Sequence, residues 1–132
     1  MKRLIKNLFQ RKTFKLPAGV LKGFTDTFHK SINIEWSKIG KVYEALFYEQ
    51  ELEKIARFDK KGKLIEIRTN ISTSALPKEI SSLVSSHGEL MNAISILRDN
   101  QTFHEIIVRQ DAVKRYMLLI NQNGEILKKE KL

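Results

Sequence analysis

Two stretches of this chain carry the same features in the same order, and that order constrains the fold more than any other property of the sequence. Leu16-Pro17 opens the first stretch and Leu76-Pro77 opens the second. Each pair precedes a helical pattern of apolar residues and then a set of alternating apolar runs. Each stretch nears its end at a polar turn, which contains Gly62 in the first and Gly124 in the second. An order that recurs after about sixty residues is typical of a duplicated supersecondary unit.

The predicted fold class is α+β, with two tandem α-β-β-β-β repeats, each a helix packed on an antiparallel sheet, that together form one domain. Pro17 and Pro77 suit the first turn of a helix. Short polar turns between successive apolar runs indicate antiparallel neighbours. Helical spacing in the first helix and alternation in the strands predict a shared apolar core. Its predicted members are Phe24, Phe28, Trp36, Phe47 and Phe58.

The formal net charge of the 132 residues is +9, and most of it lies at the two ends of the chain. Residues 1–15 contain lysine and arginine but no acid, which predicts a basic N-terminal arm there. Residues 16–132 are predicted to form a single domain made of the two repeats, 16–71 and 76–129. Because this body is close to neutral, the high isoelectric point is weak evidence for a nucleic-acid-binding fold. The chain has no cysteine, which excludes disulfides and thiolate metal sites.

The basic arm leaves several functions open. Apolar residues at helical spacing stand among its cations, namely Leu4, Ile5, Leu8 and Phe9. This pattern fits an amphipathic anchor on an anionic membrane surface, and the charge also fits nucleic-acid binding. A plain tail and packing on the protein's own sheet are the other interpretations. No stretch reaches the ~20 apolar residues of a membrane span, and no signal-peptide core is present. If Met1 is the natural start, we expect a cytoplasmic protein.

Residues suited to catalysis or to a cofactor are not grouped in this sequence. His29, His87 and His104 lack the spacing of metal ligands. The serines near Leu76-Pro77 lack a nucleophile elbow, and the glycines are too scattered for a phosphate-binding loop. We therefore predict a protein that is not an enzyme, with no catalytic residue, no metal site and no cofactor.

The order of these features resembles the PepSY-like, beta-lactamase-inhibitor-like family. The residues that carry the resemblance are Leu16, Pro17, Phe24, Trp36, Tyr43, Glu44, Phe58, Asp59 and Gly62. It implies tandem helix-plus-sheet repeats, and the named inhibitor grips an enzyme with its sheet surface and hairpin tips. Most relatives are exported, so the resemblance implies a periplasmic location as the alternative. The chain departs from the pattern at Ile96, where a second tryptophan would stand, and at His104, which replaces a second tyrosine.

Apolar residues also occupy the strand face that should lie away from the helices. They are Leu46, Tyr48, Ile55, Phe103, Ile107, Met117 and Leu119. An apolar surface with charged residues around it commonly marks an interaction site. The sequence therefore predicts a non-enzymatic protein-binding or inhibitor-like module that uses a sheet face toward a protein partner or a second copy of the chain. The alternative is a protein whose residues 1–15 dock on an anionic membrane surface or on nucleic acid.

Overall fold

The computed structural model describes residues 14–132. Residues 1–13, which hold most of the predicted basic arm, lie outside the described residues. The chain divides into two compact units, the first ending at Thr69 and the second running from Asn70 to Leu132. The domain boundaries predicted from the sequence stay a prediction.

Each helix begins directly after a proline, whose carbonyl accepts hydrogen bonds from the first turn. The Pro17 carbonyl accepts from Val20 N at 3.0 Å, and the Pro77 carbonyl accepts from Ile80 N at 3.0 Å. The helices are α1 (Ala18–Thr27) and α2 (Lys78–Ser85), and a short 3-10 helix spans Thr73–Ala75. The strands are β1 (Ile32–Ile39), β2 (Val42–Glu49), β3 (Leu52–Phe58), β4 (Leu64–Ile71), β5 (Glu89–Arg98), β6 (Gln101–Arg109), β7 (Arg115–Ile120) and β8 (Ile126–Lys131).

The predicted fold class is wrong. The strands belong to one eight-stranded sheet whose order follows the chain from β1 to β8, instead of two tandem helix-on-sheet repeats. Strands take up 52% of the described residues and helices 18%, so the fold is dominated by its sheet. The physical reason is that apolar alternation defines each strand but carries no signal for where a sheet ends, because sheet edges depend on backbone groups that every residue shares.

Two-residue turns with positive φ connect several neighbouring strands. Gln50 and Glu51 join β2 to β3 with φ of 52° and 66°, and Asp99 and Asn100 join β5 to β6 with φ of 50° and 60°. Positive φ at both central residues matches the twist of the flanking strands. Short turns thus keep these strands next to their sequence neighbours, whereas β4 and β5 are separated in the chain by the 3-10 helix and α2.

The predicted aromatic core is confirmed in the first unit. Phe24, Phe28, Phe47 and Phe58 are buried, and Trp36 is half-buried against them. The rings of Phe24 and Phe47 meet edge to face, with centroids 5.0 Å apart, which is a favourable arrangement of aromatic quadrupoles. These contacts fix α1 on one face of β2 and β3.

The second unit has an aliphatic core of its own. Ile80 and Val84 of α2 pack on buried residues of the following strands. Those strand residues are Ala93, Ile106, Val108, Leu118 and Ile120. In this unit, as in the first, the helix covers one face of the strands that follow it.

Glycines allow α1 to approach the turn between β3 and β4 very closely. A Cβ atom on Gly62 would lie 2.1 Å from the Gly19 carbonyl oxygen, and one on Gly23 would lie 2.4 Å from the Gly62 carbonyl oxygen. Gly62 also has a φ of +92°, a conformation that suits glycine. In the corresponding turn of the second unit, a Cβ atom on Gly124 would meet nothing within 4 Å. The helix and the turn are thus in tight contact in the first unit only.

Candidate functional site

The face of β2, β3 and β4 that points away from α1 is the helix-free face of the first unit. Tyr43, Ala45 and Phe47 belong to the core under α1, so the alternating residues Glu44, Leu46 and Tyr48 lie on the other face. Leu46 pairs with Ile55 on β3, and Tyr48 pairs with Glu53. Of the residues predicted for partner binding, Leu46 and Ile55 are buried and Tyr48 is half-buried.

A charge cluster with two buried carboxylates, made of Glu44, Arg57, Glu66 and Arg68, lies on this helix-free face. The Arg57 guanidinium donates to Glu44 at 2.6 Å and to Glu66 at 2.9 Å. Arg68 lies 3.6 Å from the same Glu66 carboxylate. The side chains of Glu44 and Glu66 are 2% and 3% exposed. Buried carboxylates are tolerated only when cations and hydrogen bonds replace their hydration, so Arg57 is the residue that makes this burial possible.

Tyr48 belongs to a second polar contact on the same face. Its hydroxyl donates to the Glu53 carboxylate at 3.2 Å, and Glu53 is fully buried. A buried carboxylate that accepts a phenolic hydrogen bond fixes the position of the ring. Tyr48 is therefore a rigid, half-buried aromatic residue.

The second unit also has a helix-free face, defined by the residues of β5, β6 and β7 that alternate with its core. Ile107 pairs with Met117 across β6 and β7, and Phe103 pairs with Ile96 across β5 and β6. Four predicted partner-binding residues on this face are half-buried, namely Phe103, Ile107, Met117 and Leu119. The structure brings these four onto one face of adjacent strands.

Charged groups border this apolar surface. The Arg98 guanidinium lies over the Phe103 ring, 5.7 Å from its centroid, within the range of a cation–π contact. On β8, Lys128 pairs with Leu119 in the register, and Glu130 pairs with Met117. Lys128 and Glu130 form an ion pair at 2.6 Å, with both side chains about half exposed. Glu105 also lies on this face, opposite Leu119 in the register. The face is thus mostly apolar, with one carboxylate within it and further charges along its border.

The charge cluster was not predicted from the sequence. Glu44 and Arg57 pair directly across β2 and β3, and Arg57 pairs with Glu66 across β3 and β4. The three residues are separated by long stretches of sequence, so only the strand register shows that they meet. The one signal available was the placement of charged residues within otherwise apolar strands.

The described residues, 14–132, hold neither a metal-ligating cluster nor a membrane-spanning helix. No group of three or more potential metal-ligating side chains occurs within this range. No helix of the described chain has the length and apolar character needed to cross a bilayer.

Comparison with solved structures shows the fold of this chain. A DUF2874 family protein from Bacteroides uniformis superposes with a TM-score of 0.79 at 18% identity, covering 87% of this chain and 88% of that one. A BLIP-like protein from Bacteroides fragilis superposes with a TM-score of 0.77 at 17% identity, covering 90% and 89%. A scan of protein-family models found no match, and neither did a search of curated proteins.

A third structure is similar to the same extent. It is described as a candidate periplasmic protein from Bacteroides eggerthii, with a TM-score of 0.80, 18% identity, and coverage of 89% of this chain and 90% of that one. At such identities the comparison establishes a shared fold. The inhibitor-like fold implied by the sequence resemblance is confirmed, whereas the PepSY-like label and the tandem repeat are not. None of these three proteins is described as an enzyme.

Proposed function

We propose that this protein is a non-enzymatic, inhibitor-like module that binds another protein, or a second copy of itself, through the helix-free face of its sheet. The observation that carries the proposal is the group of half-buried apolar side chains Phe103, Ile107, Met117 and Leu119, which has Glu105 within it and charged residues at its border. Large apolar side chains inside a polar rim are typical of protein interfaces. The BLIP-like fold supports the same class of function.

The seven residues predicted from the sequence have different roles in this proposal. Phe103 and Tyr48 are the aromatic anchors, since half-buried rings on rigid strands supply binding energy at a small cost in entropy. Leu46 and Ile55 are buried, so they act on binding through the packing of the first unit. Met117 adapts its shape to a partner, as flexible thioether side chains do.

The setting of the proposed module is the periplasm. This alternative from the sequence analysis is favoured over the cytoplasmic expectation by the similar fold of the candidate periplasmic protein from Bacteroides eggerthii. The other functional alternative, docking of residues 1–15 on membrane or nucleic acid, finds no support in the comparisons. Most of those residues also lie outside the described part of the chain.

Two substitutions on the second unit test the proposal. Phe103→Ala removes the proposed anchor, and Met117→Lys places a charge within the apolar surface. The matched control is Leu21→Lys, because Leu21 is an exposed apolar residue on α1 of the first unit, outside the apolar surface of the second unit. Each variant is first shown to fold by circular dichroism.

Binding is then measured by sedimentation of the purified chain and by pull-down from a periplasmic extract of the source organism at low and high salt. We expect Phe103→Ala to weaken association by about 2 kcal/mol or more, as for interface hot spots. Because the contact is apolar, the association should persist at high salt, where exposed charge pairs are screened. If both variants associate as well as Leu21→Lys, the proposal is wrong.

A further inference from the structure

We propose that the second unit carries a binding cleft for a small aromatic amine, at the start of α2. The cleft has a volume of about 370 Å³, which lies at the lower end of the range for small-molecule sites. Its lining includes Glu79, Ile80, Thr102, His104, Gln122 and Asn123. An aliphatic and imidazole floor below a polar rim is the usual composition of such a site.

The cleft exists because α2 carries side chains where α1 carries glycine. The second and sixth residues of α1 are Gly19 and Gly23, and both touch the backbone of the following turn. The second and sixth residues of α2 are Glu79 and Leu83. A Cβ atom at Gly19 would already lie 2.8 Å from the Lys61 carbonyl oxygen, so a helix with side chains here cannot approach its turn as closely.

The first unit also shows which group occupies the position that corresponds to the cleft. Phe14, three residues before Pro17, packs against Tyr43, with ring centroids 6.1 Å apart. Tyr43 pairs with Phe58, the residue before the β3–β4 turn. His104 pairs in the same way with Ile120, the residue before the β7–β8 turn. Three residues before Pro77 stands a serine instead of a phenylalanine. At this position the second unit therefore lacks the aromatic ring that the first unit has.

His104 supplies an unused hydrogen-bonding group to the cleft. Its side chain is buried, with 6% exposed, and Nδ1 has no hydrogen-bond partner among the described residues. Burial lowers the pKa of His104, so the ring is neutral near pH 7 and carries one acceptor nitrogen. A buried polar atom without a partner is unfavourable. His104 lines the cleft, but Nδ1 is enclosed, so the proposal includes a turn of the ring about its Cβ–Cγ bond that brings this nitrogen to a ligand N–H or O–H.

Glu79 determines the charge of the expected ligand. It is exposed and lies at the cleft, beside the amide side chains of Gln122 and Asn123. A carboxylate at the rim favours an ammonium group, while the apolar floor takes the ring. A phenol or indole that carries an amine combines the three requirements: a flat ring, a hydrogen-bond donor and a positive charge.

This inference does not depend on the proposed protein-binding face. The cleft lies on the side of the second unit that carries α2, whereas Phe103 and Met117 lie on the helix-free face. Binding of a small aromatic amine at the cleft and association through the helix-free face are measured with different variants. Either proposal can therefore fail alone.

The test is a titration of the ¹⁵N-labelled full chain with tyramine, followed by NMR of the amides and of the His104 ring. We expect saturable shifts confined to residues around the cleft and a further decrease in the pKa of His104 on binding. Thr102→Phe fills the cleft, and His104→Phe keeps an aromatic ring at this position but removes the acceptor nitrogen. Each substitution should weaken tyramine binding at least tenfold. If one of the two variants does not fold, the other is sufficient for the test.

Glu79→Gln tests the charge, with Glu89→Gln as the matched control, because Glu89 is an exposed carboxylate of the same unit outside the lining of this cleft. We expect Glu79→Gln to weaken binding several-fold and Glu89→Gln to leave it unchanged. Shifts spread over the surface, equal binding by Thr102→Phe, or equal binding of the uncharged 4-ethylphenol would each overturn the proposal.

Discussion

Replacing Arg57 with methionine should destabilise the protein far more than an ordinary surface substitution does. Methionine keeps the apolar stem of the side chain but removes the guanidinium that lies between Glu44 and Glu66, 2.6 and 2.9 Å from their oxygens. Breaking a buried ion pair from one side typically costs about 3–5 kcal/mol. Arg57 is 37% exposed, and Arg68 stays near Glu66, so water and one cation compensate in part. We expect a loss of about 2–3 kcal/mol in the free energy of unfolding.

A matched control lies in the second unit. Arg109 donates to Glu89 at 2.6 Å, the same distance as in the Arg57–Glu44 pair, and its side chain is 40% exposed. Glu89, however, is 63% exposed, so the Arg109→Met variant should lose less than about 1 kcal/mol. The measurement is urea unfolding followed by circular dichroism at pH 7. Equal losses in the two variants would show that burial of the carboxylate does not determine how much these ion pairs contribute to the free energy of unfolding.

Three further predictions follow from the core, the turns and the buried histidine. Phe47→Ala should cost about 3–5 kcal/mol in the free energy of unfolding, and a near-zero change in urea unfolding would contradict its place in the core. Gly62→Ala should lower the melting temperature clearly more than Gly124→Ala, because both have positive φ but only Gly62 touches Gly19; equal melting temperatures would contradict this packing. Because burial lowers the pKa of His104 below 6.5, the unfolded state binds the proton first, and stability falls as pH decreases below 6.5. Between about pH 7.5 and 5.5 the wild type should thus lose more unfolding free energy than His104→Tyr, and parallel pH curves would refute the assignment.

Local patterns were sufficient to predict the elements and their inner face. Alternation placed Tyr43, Ala45 and Phe47 on one side of β2, and helical spacing placed Phe24 and Phe28 above them, as the structure confirms. These patterns act over a few residues, where side-chain direction is set by backbone geometry. The extent of the sheet was predicted wrongly, because it depends on backbone hydrogen bonding between strands and has no side-chain signature.

The candidate sites, like the fold, were predicted only where a local pattern was sufficient. The sequence placed Phe103 and Met117 on one strand face, which required alternation alone. The charge cluster around Arg57 required the register of three strands, and the cleft beside His104 required the distance between a helix and a turn. Neither quantity can be read from spacing along the chain. The glycines of α1 were the one available signal for the cleft, since Gly19 and Gly23 have no counterpart in α2.

The composition of β8 has a consequence for solubility. This strand is last in the sheet order, and its exposed residues include Lys128, Lys129 and Lys131. Unpaired backbone groups at a sheet edge can recruit strands from other molecules, and lysine side chains oppose such growth by mutual repulsion. At the other edge, β1 has a register break between Ile32 and Glu35, and an irregular edge is a poor template for strand addition. Both edge strands thus carry features that oppose the addition of strands from other molecules.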